Sequence, residues 1–264
     1  MNPIAFSTLG CPTWDLDRIL TAATEYGYDA LELRGYLTEM DLPKADPFTP
    51  ENRDETARRI ADAGLAVCCV SSSGIVAKAN LDHVKEHAEL AAALHCPFVR
   101  VFGGQLPADV PHAQAVEDAA KTLRAFGDAA QAAGTKIVLE THDSFSTGAA
   151  VAELLAAADH PAVFALWDLH HPYRQGEAIE DTHRYLAGKL AYLHIKDGKD
   201  GTYTLLGEGD IPTFPMLDLI LKDGAYTGPI SVEWEKRWKP EIADPDVALP
   251  QYARALRDYR SARA

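Results

Sequence analysis

Four apolar runs in the second half of the chain each end in a residue that makes poor core and a good ligand. These are Glu140 after Ile137-Val138-Leu139, Asp168 after Ala165-Leu166-Trp167, His194 after Tyr192-Leu193, and Glu233 after Ile230-Ser231-Val232. Taken singly, a strand-end carboxylate is often a solvated rim group or the partner of a nearby lysine. Together, at equivalent ends of consecutive strands about 4.8 Å apart, the four side chains can converge on one ion. Three carboxylates and one imidazole make an oxygen-rich, fairly hard site. Mn2+ is its preferred cation, with Mg2+, Co2+ or Zn2+ as alternatives. Without a cation the clustered carboxylates would repel one another and raise their own pKa values.

The spacing singles out further groups around these four. His142 lies two residues past Glu140 and shares its side if the extended conformation continues; it is either a general acid/base or hydroxyl ligand, or a rim histidine capping a loop. Lys196 stands two residues after His194, where it offers a cation to an enolate or phosphate unless Asp197 holds it in a salt bridge. Arg237, in Trp234-Glu235-Lys236-Arg237-Trp238, could bind an anionic substrate group bidentately or stack between exposed indoles. Glu32 and Arg34 alternate at the end of an earlier run, as a structural pair or as substrate contacts. Trp14 and Phe6 are expected to supply an apolar wall. His83, His87 and His95, on or just after a helix remote from the motifs, are expected at the surface.

Eight apolar runs of strand length recur, each followed by an amphipathic stretch at helical spacing. The strands are predicted at Ile4–Ser7, Ala30–Leu33, Ala66–Ser71, Phe98–Phe102, Lys136–Glu140, Val163–Asp168, Leu190–Ile195 and Ile230–Glu233. Continuous apolar runs of this kind are how parallel strands covered on both faces read. Gly27, Gly64, Gly134, Gly188 and Gly224 each fall just after a helix, where a left-handed closing residue is wanted. No GxGxxG follows the first strand, so the α/β alternation is assigned to a closed (β/α)8 TIM barrel. It spans residues 1–264 as a single domain, with the metal site at the C-terminal ends of strands five to eight. The longer inserts, 35–50, 103–111, 170–180 and 198–212, all follow strands and are candidate substrate walls or lids.

The chain has 264 residues, with 25 basic against 39 acidic side chains and a formal net charge of −14. No basic cluster offsets this charge, which disfavours nucleic acid as a partner. The amino terminus lacks the basic and long apolar segments of a signal peptide, and no apolar stretch is long enough to cross a bilayer. A cytoplasmic, non-membrane protein is expected, and a homo-oligomer is compatible with the sequence. Cys11, Cys68, Cys69 and Cys96 show no metal-type spacing and read as buried reduced thiols.

Five segments resemble the xylose isomerase-like TIM barrels, the sugar phosphate isomerases/epimerases. They are Leu139-Glu140-Thr141-His142-Asp143, Trp167-Asp168-Leu169-His170-His171, His194-Ile195-Lys196-Asp197, Leu206-Gly207-Glu208-Gly209-Asp210 and Ser231-Val232-Glu233-Trp234-Glu235. The resemblance implies a single divalent metal held by Glu140, Asp168, His194 and Glu233. It also implies an Asp-x-x-His histidine, His171, in contact with a substrate hydroxyl or carbonyl. Two departures bear on the substrate. Ser146 stands where the ketohexose 3-epimerases carry a further glutamate, and Glu140-Thr141-His142 has the Glu-x-His form of the dehydroshikimate dehydratases. The apurinic endonucleases of the superfamily need additional histidines early in the barrel, where this chain shows Ser71-Ser72-Ser73-Gly74 and Phe102-Gly103-Gly104-Gln105.

The implied chemistry is proton transfer beside a carbonyl through a metal-stabilised enediolate, with Glu140 and Glu233 as the exchanging carboxylates. Reprotonation makes the chain an isomerase or epimerase of a small keto-sugar or related polyol ketone. Loss of a β-hydroxyl with help from His142 makes it an inosose- or dehydroshikimate-type dehydratase instead. A non-catalytic sugar-binding barrel is the remaining alternative.

Overall fold

The structure, a computed structural model, describes residues 2–263. The elements run β1 (Ile4–Ser7), α1 (Leu16–Tyr26), β2 (Ala30–Leu33), α2 (Arg53–Asp62), β3 (Ala66–Ile75), α3 (Leu81–Ala93), β4 (Phe98–Phe102), α4 (His112–Ala132), β5 (Lys136–Glu140) and α5 (Gly148–Ala158). They continue with β6 (Val163–Asp168), α6 (His170–Arg174), α7 (Ile179–Leu186), β7 (Leu190–Ile195), β8 (Asp197–Lys199), β9 (Thr202–Thr204), α8 (Thr213–Ile220), β10 (Ile230–Val232) and α9 (Pro245–Ser261). Eight strands form a closed barrel in the order β1-β10-β7-β6-β5-β4-β3-β2, and β8 and β9 form a separate antiparallel hairpin. The (β/α)8 class expected from the alternation is therefore the one observed.

The chain divides into two compact units, one of residues up to Cys68 together with those from Leu193 onward, the other of Cys69–Tyr192. In the first, β1 pairs in parallel with β2 and β10, aligning Ser7 with Glu32 and Phe6 with Val232. There β10 also pairs with β7, setting Ser231 beside His194 and Val232 beside Ile195. In the second, β4 pairs with β5 and β5 with β6, which sets Arg100 beside Val138, Phe102 beside Glu140, and Glu140 beside Leu166. These strands are almost wholly buried, so helices cover one face and packed side chains the other.

Most strand limits agree with the apolar runs, and the differences have local causes. β3 extends to Ile75 rather than Ser71, through a register shift between Ser71 and Gly74. Asn80 sustains that extension, because its side chain accepts from the Ile75 amide at 2.8 Å and donates to the Ser73 carbonyl at 3.2 Å. β10 stops at Val232, although the Glu233 amide still donates to the Ile195 carbonyl at 3.0 Å. Gly27, Gly64, Gly134 and Gly224 have φ between 71° and 79°. Gly188 does not join them: α7 closes through Ala187 in the right-handed region and a Lys189-to-Leu186 turn.

The histidines expected at the surface divide. His95 is exposed, but His87 is fully buried with Nδ1 2.7 Å from the His83 carbonyl, and His83 Nε2 accepts from the Ser73 amide at 3.1 Å. α3 begins so soon after β3 that its first two turns fold back onto the strand end. All four cysteines are buried thiols, as expected. Among the described residues no helix is long and apolar enough to cross a membrane.

Candidate active site

In the unit 69–192, Thr141 ties the ends of β5 and β6 together. Its amide donates to the Leu166 carbonyl at 3.0 Å, its hydroxyl accepts from the Asp168 amide at 3.0 Å, and it is itself fully buried. Glu140 and Asp168 are thereby fixed at neighbouring strand ends, 1% and 0% exposed. Asp168 Oδ1 accepts from the His170 amide at 2.9 Å, which turns the chain into α6 and brings His171 Nε2 to 3.6 Å from Asp168 Oδ2. The 170–180 insert thus opens as a helical turn, not as irregular loop.

His142 keeps the extended backbone, with φ −154° and ψ 162°. Its ring packs against Phe102 at 4.7 Å and edge-on against His171 at 4.9 Å, while Nδ1 lies 3.1 Å from Asp143 Oδ1. Its side chain remains 37% exposed, so it has both an aromatic seat and access to solvent. His170 receives Arg174 Nε on its ring at 3.4 Å, whereas His171 faces Asp168 and His142.

Arg100 is a site residue that the sequence reading missed. It stands in the middle of β4, is 1% exposed, and places Nε 3.3 Å from Glu140 Oε2 with its guanidinium 3.8 Å above the Phe102 ring. A buried carboxylate is costly unless a cation or hydrogen bonds compensate it. The available signal was the charge inside an otherwise apolar strand, Phe98-Val99-Arg100-Val101-Phe102.

In the other unit, His194 lies near the end of β7, and the chain runs on through Lys196 to Asp197, the first residue of β8. His194 is fully buried, with Nε2 bonded to Glu32 Oε2 at 2.8 Å and Nδ1 3.4 Å from Glu233 Oε1. Glu32 is also fully buried and accepts a second hydrogen bond, from Ser231 Oγ, at 2.8 Å. Glu32 is thus engaged by His194 and Ser231, while Arg34, 8% exposed, lines a small cleft with Trp14, Tyr36 and Arg237.

Lys196 is 1% exposed and donates to Glu233 Oε2 at 2.5 Å and to Glu235 Oε1 at 2.8 Å; Glu235 Oε1 also accepts from the Tyr203 hydroxyl at 2.9 Å. The salt bridge considered between Lys196 and Asp197 does not form, because neighbours on an extended chain point to opposite sides. Asp197 instead gathers backbone amides: Gly198 and Ile211 donate to Oδ1 at 2.8 and 3.3 Å, Gly207 and Gly209 to Oδ2 at 2.8 and 3.0 Å. That carboxylate shapes the 198–212 insert. A Cβ at Gly209 would come within 2.1 Å of Asp197 Oδ1, so only glycine fits there.

Arg237 is used differently from the bidentate anion contact considered for it. Its terminal nitrogens donate to the carbonyls of Leu37 and Thr38, the latter at 3.0 Å, so it fastens the 35–50 insert. Leu37, whose carbonyl is clasped, has φ of 49° in the left-handed region. Ser146 is half-buried and closes a short 3-10 turn over Asp143–Phe145.

The fold and these two rim clusters define a (β/α)8 barrel with acid and imidazole groups at the carboxyl ends of its later strands. The chain belongs to the xylose isomerase-like TIM barrel family, whose family model matches residues 20–259. Inosose dehydratase of Mesomycoplasma hyopneumoniae (strain 7448) is 26% identical over 170 residues, 55% of this chain and 54% of that protein. Fructoselysine 3-epimerase of Escherichia coli O157:H7 is 29% identical over 121 residues, 43% of this chain and 44% of that protein. The chain therefore spans about half the length of the curated relatives it matches. The crystal structure of IolI protein with a bound zinc atom shares the fold with a TM-score of 0.79 at 17% identity, covering 98% of each chain.

Proposed function

We propose that the chain is a divalent-metal-dependent isomerase or epimerase of a small keto-sugar or related polyol ketone. In this reading Glu140, Asp168, His194 and Glu233 hold one cation, Mn2+ by preference, and Glu140 and Glu233 exchange the substrate proton. What supports the reading is that each unit brings two buried metal-type donors to strand ends: Glu140 and Asp168 close β5 and β6 in one, and His194 near the end of β7 and Glu233 just after β10 do so in the other. The donor set suits a hard divalent ion. His194 supports it further, because anchoring Nε2 on Glu32 leaves Nδ1 on the side of Glu233.

When bound, a divalent cation there polarises a carbonyl and stabilises the negative charge that develops beside it. Glu233, steadied at Oε2 by Lys196, removes the proton next to the carbonyl. Glu140, beside Arg100 and entering the step protonated, returns its proton on the opposite face or at the neighbouring carbon, and exchange with solvent then restores both carboxyls. His171 and His142 bind substrate hydroxyls. Lys196 and Arg100 keep a positive charge beside each exchanging carboxylate, which limits repulsion among the acids.

A dehydratase is the second reading, and the partial exposure of His142 beside Asp143 supports it; in that reading His142 protonates the departing hydroxyl. The inosose dehydratase similarity supports that reading as the fructoselysine 3-epimerase similarity supports the first. Calorimetric titration of the metal-stripped chain should show one site for Mn2+. A preparation that binds none of Mn2+, Mg2+, Co2+ and Zn2+ would sink both metal-dependent readings.

A further inference from the structure

We infer that Glu32 is a positioning residue for His194, which it fixes in the Nε2-protonated tautomer with Nδ1 presented as the ligand atom. The inference rests on the metal-centre reading above and adds to it a residue on β2, a strand outside the ligand set.

Glu32 is the register partner of Ser7 on β1, and its carboxylate is fully buried. A buried charge is tolerated when it is paired and hydrogen-bonded. Here a single oxygen, Oε2, receives both the His194 imidazole and the Ser231 hydroxyl, each at 2.8 Å. These two donors are register partners on β7 and β10, so they rise from the same rung and meet the carboxylate from adjacent strands. The three side chains are each 0% exposed, which removes water as a competitor for any of the bonds.

An ionised carboxylate only accepts hydrogen bonds, so the proton in this contact resides on Nε2. The neutral imidazole then keeps its lone pair on Nδ1, which lies 3.4 Å from Glu233 Oε1. Ring orientation and tautomer are set by one contact. Histidines that bind metals generally depend on such a partner, and losing it costs about 10–100-fold in metal affinity or activity. A substrate contact is a poorer account of Glu32, whose carboxylate has no exposed surface.

The test uses the full chain, stripped of metal and titrated with Mn2+ or Zn2+ alone, together with nitrogen NMR of its histidine rings. The wild type should show His194 protonated at Nε2 before and after loading. Glu32→Gln preserves shape and an acceptor but not the charge, and should weaken cation binding about tenfold or more with the fold intact. Ser231→Ala leaves the imidazole contact in place and should weaken binding less. His194 protonated at Nδ1 in the wild type, or Glu32→Gln binding the cation as tightly as the wild type, would overturn the inference. Should Glu32→Gln not fold, the wild-type tautomer decides alone. A wild type that binds neither cation overturns the metal reading and this inference with it, an outcome distinct from a wild type that binds while Glu32→Gln is unaffected.

Discussion

The Lys196 ammonium lies 2.5 Å from Glu233 Oε2 while only 1% exposed, and it completes a chain through Glu235 to the Tyr203 hydroxyl. Removing one member of a buried ion pair costs about 3–5 kcal/mol, because the other charge stays behind. Lys196→Met should therefore destabilise the chain by about that amount. Glu235→Gln, which keeps the Lys196 to Glu233 contact, should cost about 1 kcal/mol. Urea unfolding of both variants checks the order.

Asp197 makes a second, independent prediction. Replacing it with alanine strands the buried amides of Gly198 and Ile211 at about 1–3 kcal/mol each, and it releases the less buried amides of Gly207 and Gly209 to solvent. The 198–212 insert should loosen before the barrel does, and amide exchange at Gly207 and Gly209 should accelerate in Asp197→Ala. Unchanged exchange at these glycines would mean that the hairpin β8–β9 holds the insert by itself.

Much of this was legible in advance, and the omissions have a common cause. Strand positions and the four ligand-type ends follow from local runs, since a strand covered on both faces must be apolar along its length. The fate of Lys196 and Asp197 was also within reach, because alternation sends them to opposite sides. Arg100 was not: its place depends on a ring two residues along its own strand and a carboxylate on the next strand. Likewise Glu32 has partners more than 160 positions away, and the burial of His87 depends on how α3 returns onto β3. Contacts closed by topology leave no periodic trace.

Alkaline pH should unfold the protein through its buried phenols. Burial pushes Tyr28, Tyr226 and Tyr252 above the usual tyrosine range; for Tyr252 the amide of Asp197, hydrogen-bonded to the phenolic oxygen, partly offsets this. In each case the folded pKa exceeds the unfolded value of about 10, so the stabilisation is complete below about pH 10 and is lost as pH rises through the folded pKa. Each group then contributes up to about 1.4 kcal/mol of loss per pH unit. Urea midpoints measured between about pH 9 and pH 11 should fall, and Tyr252→Phe should fall less steeply.

His142 separates the isomerase from the lyase. In an isomerase it orients a hydroxyl, so His142→Asn should raise KM while leaving a substantial fraction of kcat. In a dehydratase it transfers a proton during elimination, and the same change should lower kcat by about 10²–10⁴-fold. Steady-state kinetics of the variant on whichever keto-sugar or keto-inositol the wild type converts gives the answer.

The central claim is that Glu233 and Glu140 exchange a proton beside a substrate carbonyl. Its most direct test is to incubate the Mn2+-loaded chain with a panel of keto-sugars and keto-inositols in deuterium oxide and to analyse the products by mass and NMR. The claim requires a product of the substrate's own formula carrying solvent deuterium at the carbon beside the carbonyl, with exchange abolished in Glu233→Gln. Loss of water from the substrate, or exchange that persists undiminished in Glu233→Gln, would contradict it.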